Sequence, residues 1–299
     1  MHRYVLIGAN GFIAKNFSEY LIKLDLNFSY INFREIFSNN SLSDQEKKKI
    51  LVSNLKANDI LIFLSSPAHT SIKKNKIEIF LKNFKLFLLF LKDIKFHKII
   101  FISSTKVIDE NSLSEKLFSY SFPNPKSAYG KYKLNSEKIL QNFSHKFNYK
   151  YIILRLPLVL GKGVKGNFKK LIFFIKLGLP LPRELLNNKR NFISSTNLNN
   201  ILIKIANNDH LFNITLTIND GNNYKMSFII DLIYKSLNKK SKLSDSYFFM
   251  QIITLFFKKT STYDKIFSDY TIDCSQDLKK IDFIPIDDIY KSILDSTKI

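Results

Sequence analysis

The chain has 299 residues and 45% of them are hydrophobic, enough for a large core in one or two domains. The formal net charge of +21 suggests nucleic-acid binding, but the lysines are spread through the chain among many Asn, Ile and Phe residues, so we attribute the charge to coding bias and predict no nucleic-acid partner. A single cysteine, Cys274, excludes an internal disulfide, and no apolar run is long enough to span a bilayer, so we expect a cytoplasmic protein.

The first predicted strand begins at Tyr4, which leaves no room for a signal peptide. It passes through a glycine turn into a helix predicted over residues 12–24. Strand, glycine turn and helix N-terminus in this order are typical of a parallel sheet that binds a dinucleotide pyrophosphate. Glycines permit the tight turn and a close approach of the backbone to phosphate. We therefore predict NAD or NADP as the cofactor, bound by Gly8, Asn10, Gly11, Phe12 and Ile13.

A second strand is predicted from Asn27 to Phe33 and ends at Arg34. A charged residue at this point conventionally faces the adenosine ribose, where an acid binds the 2′-hydroxyl and an arginine suits a 2′-phosphate. A surface arginine after a strand is an equally good interpretation, so Arg34 is a candidate cofactor contact. Little room remains before Asp59 for a full third strand.

The next predicted elements are a helix over residues 44–55, a buried strand over 59–64 and a long helix over 74–92. The strand leads into a loop of small residues, where Ser65 and Ser66 are expected on the cofactor edge of the sheet. The long helix is apolar around much of its circumference and needs cover on a second side. We predict a homodimer in which this helix and the helix that starts near residue 129 pack against the same two helices of a second copy; the alternative is cover by the chain's own C-terminal segment, residues 247–257.

The strand predicted from Lys98 to Ile102 continues to Ser104, and Tyr129 and Lys133 follow further along the chain. Tyr129 and Lys133 share one face of a helix because they are four residues apart. A nearby ammonium, helped by the charge of an oxidised nicotinamide, lowers the pKa of the phenol. Tyr129 is therefore the predicted acid–base for a hydroxyl group, with Ser104 as a hydrogen-bond partner. A purely structural Tyr–Lys pair is the alternative, which the glycine turn at the start of the chain disfavours.

With these motifs the chain resembles the extended short-chain dehydrogenases/reductases of the nucleotide-sugar epimerase/dehydratase family, along nearly its whole length. The resemblance implies an α/β fold, a Rossmann-type doubly wound parallel sheet with a smaller C-terminal substrate-binding domain. Residues 1–160, with a return segment at about 190–208, would form the dinucleotide-binding domain, and 161–189 with 209–299 the substrate-binding part. The matching segments are residues 8–14, 103–107, 129–133, 154–163 and 189–193.

The resemblance also implies roles for single residues. Catalysis is expected from Ser104, Tyr129 and Lys133, and the last two also touch the cofactor together with Pro157. Substrate contacts are expected from Thr105, Asn167 and Arg190, of which the arginine holds the nucleotide diphosphate. The five histidines show no metal-ligand spacing, so we expect no metal.

The implied activity is NAD(P)-dependent hydride chemistry at C4 of a nucleotide sugar, best represented by a UDP-sugar 4-epimerase for surface polysaccharide synthesis. Thr105 and Lys106 stand where 4,6-dehydratases of the family carry Asp-Glu, which disfavours a dehydratase. An NADPH-dependent 4-ketoreductase of a nucleotide-linked 4-keto-6-deoxy sugar would use the same residues, and Arg34 favours it. A non-catalytic NADP-binding scaffold is the third alternative, disfavoured by the intact set of three catalytic residues.

The apolar run from Tyr247 to Phe257 has two interpretations. Most stretches of this kind form part of a core. The alternative is a surface helix in peripheral contact with a membrane, consistent with a lipid-linked sugar or a membrane-bound partner enzyme.

Overall fold

The computed structural model describes residues 2–39, 41–66, 74–108, 117–178, 181–182, 186–244, 269–286 and 288–298. The chain divides into two compact units. Unit 1 comprises residues 1–108, 122–156 and 199–218, and unit 2 comprises 109–121, 157–198 and 219–299. The assignment of cofactor and substrate roles to separate parts of the chain stays a prediction.

Unit 1 is built on a six-stranded sheet in which every neighbouring pair of strands is parallel. The strand order is β6-β5-β4-β3-β1-β2. The strands are β1 (Arg3–Ile7), β2 (Phe28–Ile31), β3 (Asp59–Phe63), β4 (Lys98–Ser104), β5 (Tyr151–Leu156) and β6 (Ile214–Thr217). Every residue of β3 and β4 is buried, as expected for central strands of a parallel sheet covered on both faces. This architecture confirms the predicted α/β doubly wound parallel sheet.

The helices of unit 1 alternate with its strands. They are α1 (Phe12–Lys23), α2 (Phe33–Phe37), α3 (Asp44–Asn54), α4 (Lys74–Leu91), α5 (Ala128–Phe147) and the larger part of a helix over Ser195–Ala206, and a 3₁₀ turn (Thr105–Val107) follows β4. The α3 helix starts with a capping box, in which the backbone N–H of Ser43 donates to the Glu46 carboxylate at 2.7 Å and the Ser43 hydroxyl accepts from the backbone of Glu46. Between β2 and β3 the described residues form no further strand, in line with the short sequence available there.

The second strand is shorter than predicted. It ends at Ile31, and the chain turns at once into α2, so Arg34 lies in a helix rather than at a strand end. The reason is the helical spacing of Phe33, Ile36 and Phe37, whose side chains all turn into the core.

The apolar helix α4 is covered within its own unit, which corrects one argument for a dimer. Phe84 and Phe87 are 0% exposed, and the ring of Phe87 lies 5.8 Å from that of Phe33 in α2. The ring of Phe84 lies 4.8 Å from that of Phe63 in β3. The sequence argument overlooked α2 because its residues were predicted as the end of a strand. The homodimer therefore stays a prediction without that support.

Unit 2 contains mostly short elements. Its two-stranded pairs join residues 158–160 with 192–194, 189–190 with 224–225, 117–118 with 272–273 and 181–182 with 243–244. Its helices are α6 (Asn167–Lys176), the start of α7 (Ser195–Ala206), α8 (Met226–Ser236), α9 (Ser275–Lys280) and α10 (Ile289–Thr297). The apolar run 247–257 lies outside the described residues. Among the helices that are described, none combines the length and the hydropathy that a membrane span requires.

Candidate active site

The two glycines of the turn between β1 and α1 differ in backbone conformation and in what surrounds them. Gly8 has φ +108°, and a Cβ atom on it would lie 2.7 Å from the backbone nitrogen of Ser65. Gly11 is the N-cap of α1, and a Cβ atom there would meet only the Gly8 carbonyl oxygen, at 3.4 Å. No side chain caps this helix end, so the start of α1 can face an anion. Asn10 beside the turn is exposed, while Phe12 and Ile13 of the first helical turn are half-buried.

Arg34 is exposed, and its guanidinium lies against the loop that follows β3. The Nη2 group of Arg34 donates a 2.5 Å hydrogen bond to the carbonyl oxygen of Ser66. Ser65, the preceding residue, is buried against Gly8. Gly8, Arg34, Ser65 and Ser66, four predicted cofactor contacts, therefore lie at one edge of the unit 1 sheet. Residues 67–73 of the same loop lie outside the described residues.

Tyr129 and Lys133 lie on one face of α5, near its N-terminus. The hydroxyl of the N-cap residue Ser127 accepts from the backbone of Gly130 at 3.0 Å and holds this end of the helix in place. The Lys133 Nζ atom lies 6.0 Å from the centre of the Tyr129 ring. It is buried and donates a 2.7 Å hydrogen bond to the carbonyl oxygen of Ile102 in β4.

The pKa of Tyr129 differs from the sequence expectation. Burial raises the pKa of Tyr129 to about 12, and a hydrogen bond with the Ser66 side chain opposes that rise. Burial also lowers the pKa of Lys133 to about 7, against the opposing effect of the Glu137 carboxylate. A lysine that is only partly charged at neutral pH, and directed at a carbonyl oxygen, stabilises the phenolate weakly. The expected lowering of the phenol pKa is therefore absent, because burial dominates.

Ser104 ends β4, directly before the 3₁₀ turn that starts with Thr105. Its hydroxyl accepts a 3.3 Å hydrogen bond from the backbone of Lys106, and both Ser104 and Thr105 are buried. The Lys106 ammonium lies 6.0 Å from the Tyr129 ring centre. Unit 1 thus brings the strand end with Ser104 next to the helix that carries Tyr129 and Lys133.

A buried ion pair behind these residues was missed in the sequence. Arg155 donates to both carboxylate oxygens of Glu137, from Nη2 at 2.7 Å and from Nε at 3.1 Å. The hydroxyl of Ser103 donates to the same carboxylate. Ser103 precedes Ser104, and Glu137 follows Lys133 by one helical turn, so the network ties the two elements together. The signal for it was the scarcity of arginine in a lysine-rich chain, since only arginine makes such a bidentate fork.

The remaining predicted site residues belong to unit 2. Pro157 is half-buried at the start of this unit, and Asn167 is exposed as the first residue of α6. Arg190 lies in a two-residue strand paired with Tyr224 and bridged to Tyr270. Burial lowers the pKa of the Arg190 guanidinium, while Tyr270 and Asp269 oppose that change.

Asn191 and Asn197, which follow Arg190 in the sequence, have structural partners in unit 2. The Asn191 side chain donates to the Asn222 carbonyl at 2.9 Å and accepts from the backbone of Ile272 at 2.6 Å. Asn197 donates to the Asp220 carboxylate at 2.7 Å. An amide suits these positions because it donates and accepts at once, and an aspartate at 197 would repel Asp220.

Comparison with known proteins identifies a matching family. A model of the NAD dependent epimerase/dehydratase family matches residues 4–215, more than half of the chain. The UDP-glucose 4-epimerase of Vibrio cholerae is 26% identical over 191 residues, which cover 63% of this chain and 58% of that protein. The chain thus aligns with less than two thirds of that relative's length.

Two solved structures share the fold along the whole chain. UDP-glucuronic acid 4-epimerase from Bacillus cereus, in complex with UDP-glucuronic acid and NAD, has a TM-score of 0.75 at 18% identity and covers 99% of this chain and 98% of its own. RMD from Pseudomonas aeruginosa, complexed with NADPH, has a TM-score of 0.75 at 14% identity, with coverages of 99% and 98%. At these identities the likeness establishes the Rossmann-type fold.

Proposed function

The chain belongs to the NAD dependent epimerase/dehydratase family, and we propose that it catalyses NAD(P)-dependent hydride chemistry at C4 of a nucleotide sugar. Within this class we propose a UDP-sugar 4-epimerase that serves surface polysaccharide synthesis in the cytoplasm. The observation that carries the proposal is the Tyr129–Lys133 pair, whose Nζ-to-ring distance is 6.0 Å, in the same unit as the glycine turn.

The glycine turn fits a dinucleotide. Position 8 excludes any side chain, position 11 has one neighbour, the Gly8 carbonyl oxygen, 3.4 Å from where a Cβ atom would lie, and the helix end after it has no side-chain cap. Bound there, NAD or NADP would supply a reversible acceptor for the hydride of a sugar carbon. The proposed contacts are Gly8, Asn10, Gly11, Phe12, Ile13, Arg34, Ser65, Ser66, Tyr129, Lys133 and Pro157.

Tyr129 is the proposed carrier of the hydroxyl proton. An epimerase must remove that proton from the C4 hydroxyl and later return it, and a single positioned group can do both. With a pKa of about 12 the phenol of Tyr129 is ready to donate at neutral pH. Removal requires the phenolate, which Lys133 and Lys106, with Nζ atoms 6.0 Å from the ring centre, favour only weakly, so the positive charge of an oxidised nicotinamide would have to favour it as well. Ser104 is the proposed hydrogen-bond partner of the same hydroxyl.

Substrate contacts are proposed for Thr105 of unit 1 and for Asn167 and Arg190 of unit 2. Arg190 suits the nucleotide diphosphate because a half-buried guanidinium forms bidentate, charge-assisted hydrogen bonds with phosphate oxygens.

The test is an assay of the purified full chain with UDP-glucose, UDP-N-acetylglucosamine and UDP-glucuronic acid, with products resolved by chromatography. Tyr129→Phe should retain its circular dichroism spectrum and its affinity for NAD⁺ but lose turnover by about a hundredfold or more, because the proton carrier is missing. Tyr120→Phe, at a tyrosine that is 65% exposed, is the matched control and should stay active. Near wild-type turnover in Tyr129→Phe would refute the assigned role.

The 4-ketoreductase is the second candidate, and Arg34 is the observation that favours it. Its exposed guanidinium, in α2 shortly after β2, suits a 2′-phosphate, which only NADP(H) carries. A reductase would oxidise NADPH when a UDP-4-keto sugar is added and would leave the three UDP-sugars unchanged. Titration of NADH and NADPH against wild type and Arg34→Ala separates the roles: an equal preference in both proteins means that Arg34 serves only to hold the Ser66 loop.

A further inference from the structure

A second cluster of polar side chains lies at the other edge of the unit 1 sheet. The carboxyl end of β1 leads to the glycine turn, whereas His2 directly precedes the amino end of the same strand. His97 directly precedes β4, and Asp209 lies in the turn between α7 and β6. These three residues come from distant parts of the sequence, so no local spacing of ligands reveals them. The sheet topology brings these three residues together at the edge where the strands begin.

The three side chains bring one possible ligand atom each into a small volume. The Asp209 Oδ1 atom lies 2.9 Å from His97 Nε2 and 3.8 Å from His2 Nε2. One ligand atom from each residue lies within 4.8 Å of the others. Two ligands of a tetrahedral Zn²⁺ ion, each at about 2.0–2.1 Å from the metal, are about 3.3 Å apart. The separations in the cluster, from 2.9 Å to at most 4.8 Å, lie on both sides of that value.

The contact between His97 and Asp209 is unsuitable as a hydrogen bond. The Nε2 atom of His97 is buried and has no hydrogen-bond partner of acceptable geometry, although the carboxylate oxygen is 2.9 Å away. The oxygen therefore lies well off the axis of the ring nitrogen. An off-axis approach of this kind is what two ligands of one cation show, because each directs its lone pair at the metal and not at the other ligand.

The second histidine, His2, has the tautomer that a metal ligand at Nε2 requires. The Nδ1 atom of His2 lies 3.1 Å from the carbonyl oxygen of Asn58, so this nitrogen carries the proton and donates it. That leaves the lone pair on Nε2, the atom that faces Asp209. A ring N–H donated to a backbone carbonyl is the usual support of a metal-binding histidine.

We propose that His2, His97 and Asp209 form a binding site for a divalent transition-metal cation of the Zn²⁺ type, distinct from the proposed nucleotide-sugar site. The Asp209 side chain is 62% exposed, so the cation can enter from solvent and keep water as its remaining ligand. Two imidazoles and one carboxylate are a ligand set that Zn²⁺ accepts. The site would link the first residues of the chain to the starts of β4 and β6.

Lys98 has two opposing effects on this site. Its buried Nζ donates to the carbonyl oxygen of Asn208 at 2.6 Å, which fixes the turn that carries Asp209. Its ammonium also repels a second cation nearby, which reduces the affinity that the ligand set would otherwise provide.

The test is calorimetric titration of Zn²⁺ into the full chain, produced without a polyhistidine tag and without added nucleotide. We expect one ion per chain, a rise in the melting temperature, and visible absorption of a tetrahedral complex when Co²⁺ replaces Zn²⁺. His97→Gln and Asp209→Asn should lose all three signals. The matched controls His210→Gln and His145→Gln alter exposed histidines outside the cluster and should keep them.

The absence of stoichiometric binding to wild type would overturn the proposal, and so would unchanged binding in Asp209→Asn. This second variant keeps the shape of an exposed side chain, so it should retain the fold, which circular dichroism checks. Loss of binding in His210→Gln alone would place the ion elsewhere. None of these readouts depends on the activity toward nucleotide sugars, so the two proposals fail independently.

Discussion

The charge of Lys133 depends on two opposing effects. Burial lowers the pKa of its ammonium to about 7, and the Glu137 carboxylate one helical turn away raises it. In the unfolded chain the same group titrates near pH 10.4, its value in water. Between these two values the unfolded chain binds one proton more than the folded chain at this site. The stability contribution of Lys133 therefore rises as the pH increases from about 7, and is constant below it.

We predict that this slope disappears in Lys133→Met. The free energy of unfolding of wild type minus that of the variant should increase between pH 7 and pH 9.5, by up to about 1.4 kcal/mol per pH unit. Urea denaturation across this pH range measures it. Lys131→Met, at an exposed position of the same helix, is the control and should give a flat difference. A flat difference for Lys133 itself would show that its ammonium stays charged in the fold.

Loss of the Glu137 carboxylate should be strongly destabilising. Glu137→Gln removes the carboxylate that accepts three hydrogen bonds from Arg155 and one from Ser103, and leaves a buried guanidinium without its counter-charge. We expect a loss of about 3–5 kcal/mol in the free energy of unfolding, measured by urea denaturation. Glu78→Gln, on the exposed side of α4, should change it by less than about 0.5 kcal/mol. A small effect at Glu137 would mean that Arg155 finds another partner.

At the scale of elements, the two glycines of the β1–α1 turn are expected to serve different needs. Gly8 is needed for the fold, and Gly11 is needed for cofactor binding. Gly8→Ala places a Cβ atom 2.7 Å from the Ser65 backbone at φ +108°, so the variant should lose several kcal/mol or fail to fold. Gly11→Ala meets only one carbonyl oxygen at 3.4 Å, so it should keep its melting temperature within a few degrees. The added methyl group would still obstruct phosphate, and we predict at least a tenfold weaker affinity for NAD⁺.

Thermal unfolding and a fluorescence titration of NAD⁺ measure the two effects. Equal melting temperatures for Gly8→Ala and wild type would contradict the geometry of the turn. Undiminished NAD⁺ binding in a folded Gly11→Ala would place the cofactor away from it.

Elements with a strong local pattern were predictable from the sequence, and long-range pairs were not. The periodicity of apolar residues predicted the ends of α1, α4 and the buried strand β3 to within one or two residues. It failed at α2, because a short helix and a strand end share the same few apolar residues. The Glu137–Arg155 pair and the Asn197–Asp220 pair join separate elements. No spacing of residues in the sequence predicts such contacts, because they form only when separate elements pack together.

At the scale of the whole molecule, the predicted homodimer needs a different interface probe from Phe87, which is buried in its own unit. The exposed apolar side chains of α4 are Ile79 and Leu89. We predict a mass of twice 35.0 kDa by light scattering, and a monomer with an unchanged circular dichroism spectrum for Ile79→Glu combined with Leu89→Glu. Phe87→Glu should instead unfold the chain. A wild-type monomer at micromolar concentration would contradict the dimer.

The division of the molecule into two units leaves the proposed roles of its parts open to separate tests. Unit 1 holds the glycine turn, Ser104, Tyr129 and Lys133, so cofactor affinity should respond to changes there. Unit 2 holds Arg190, so Arg190→Ala should raise the KM for the UDP-sugar and leave the affinity for NAD⁺ unchanged.

The central claim, hydride chemistry at C4 of a nucleotide sugar, is tested most directly with UDP-sugars that carry deuterium at C4. After incubation of the purified chain with NAD⁺ and each labelled UDP-sugar, NMR reports the configuration at C4 and the position of the label. The account predicts a product inverted at C4 that keeps its deuterium at C4, without incorporation of solvent hydrogen. Deuterium lost to water or moved to C6, or no conversion of any of the UDP-sugars, would contradict a 4-epimerase.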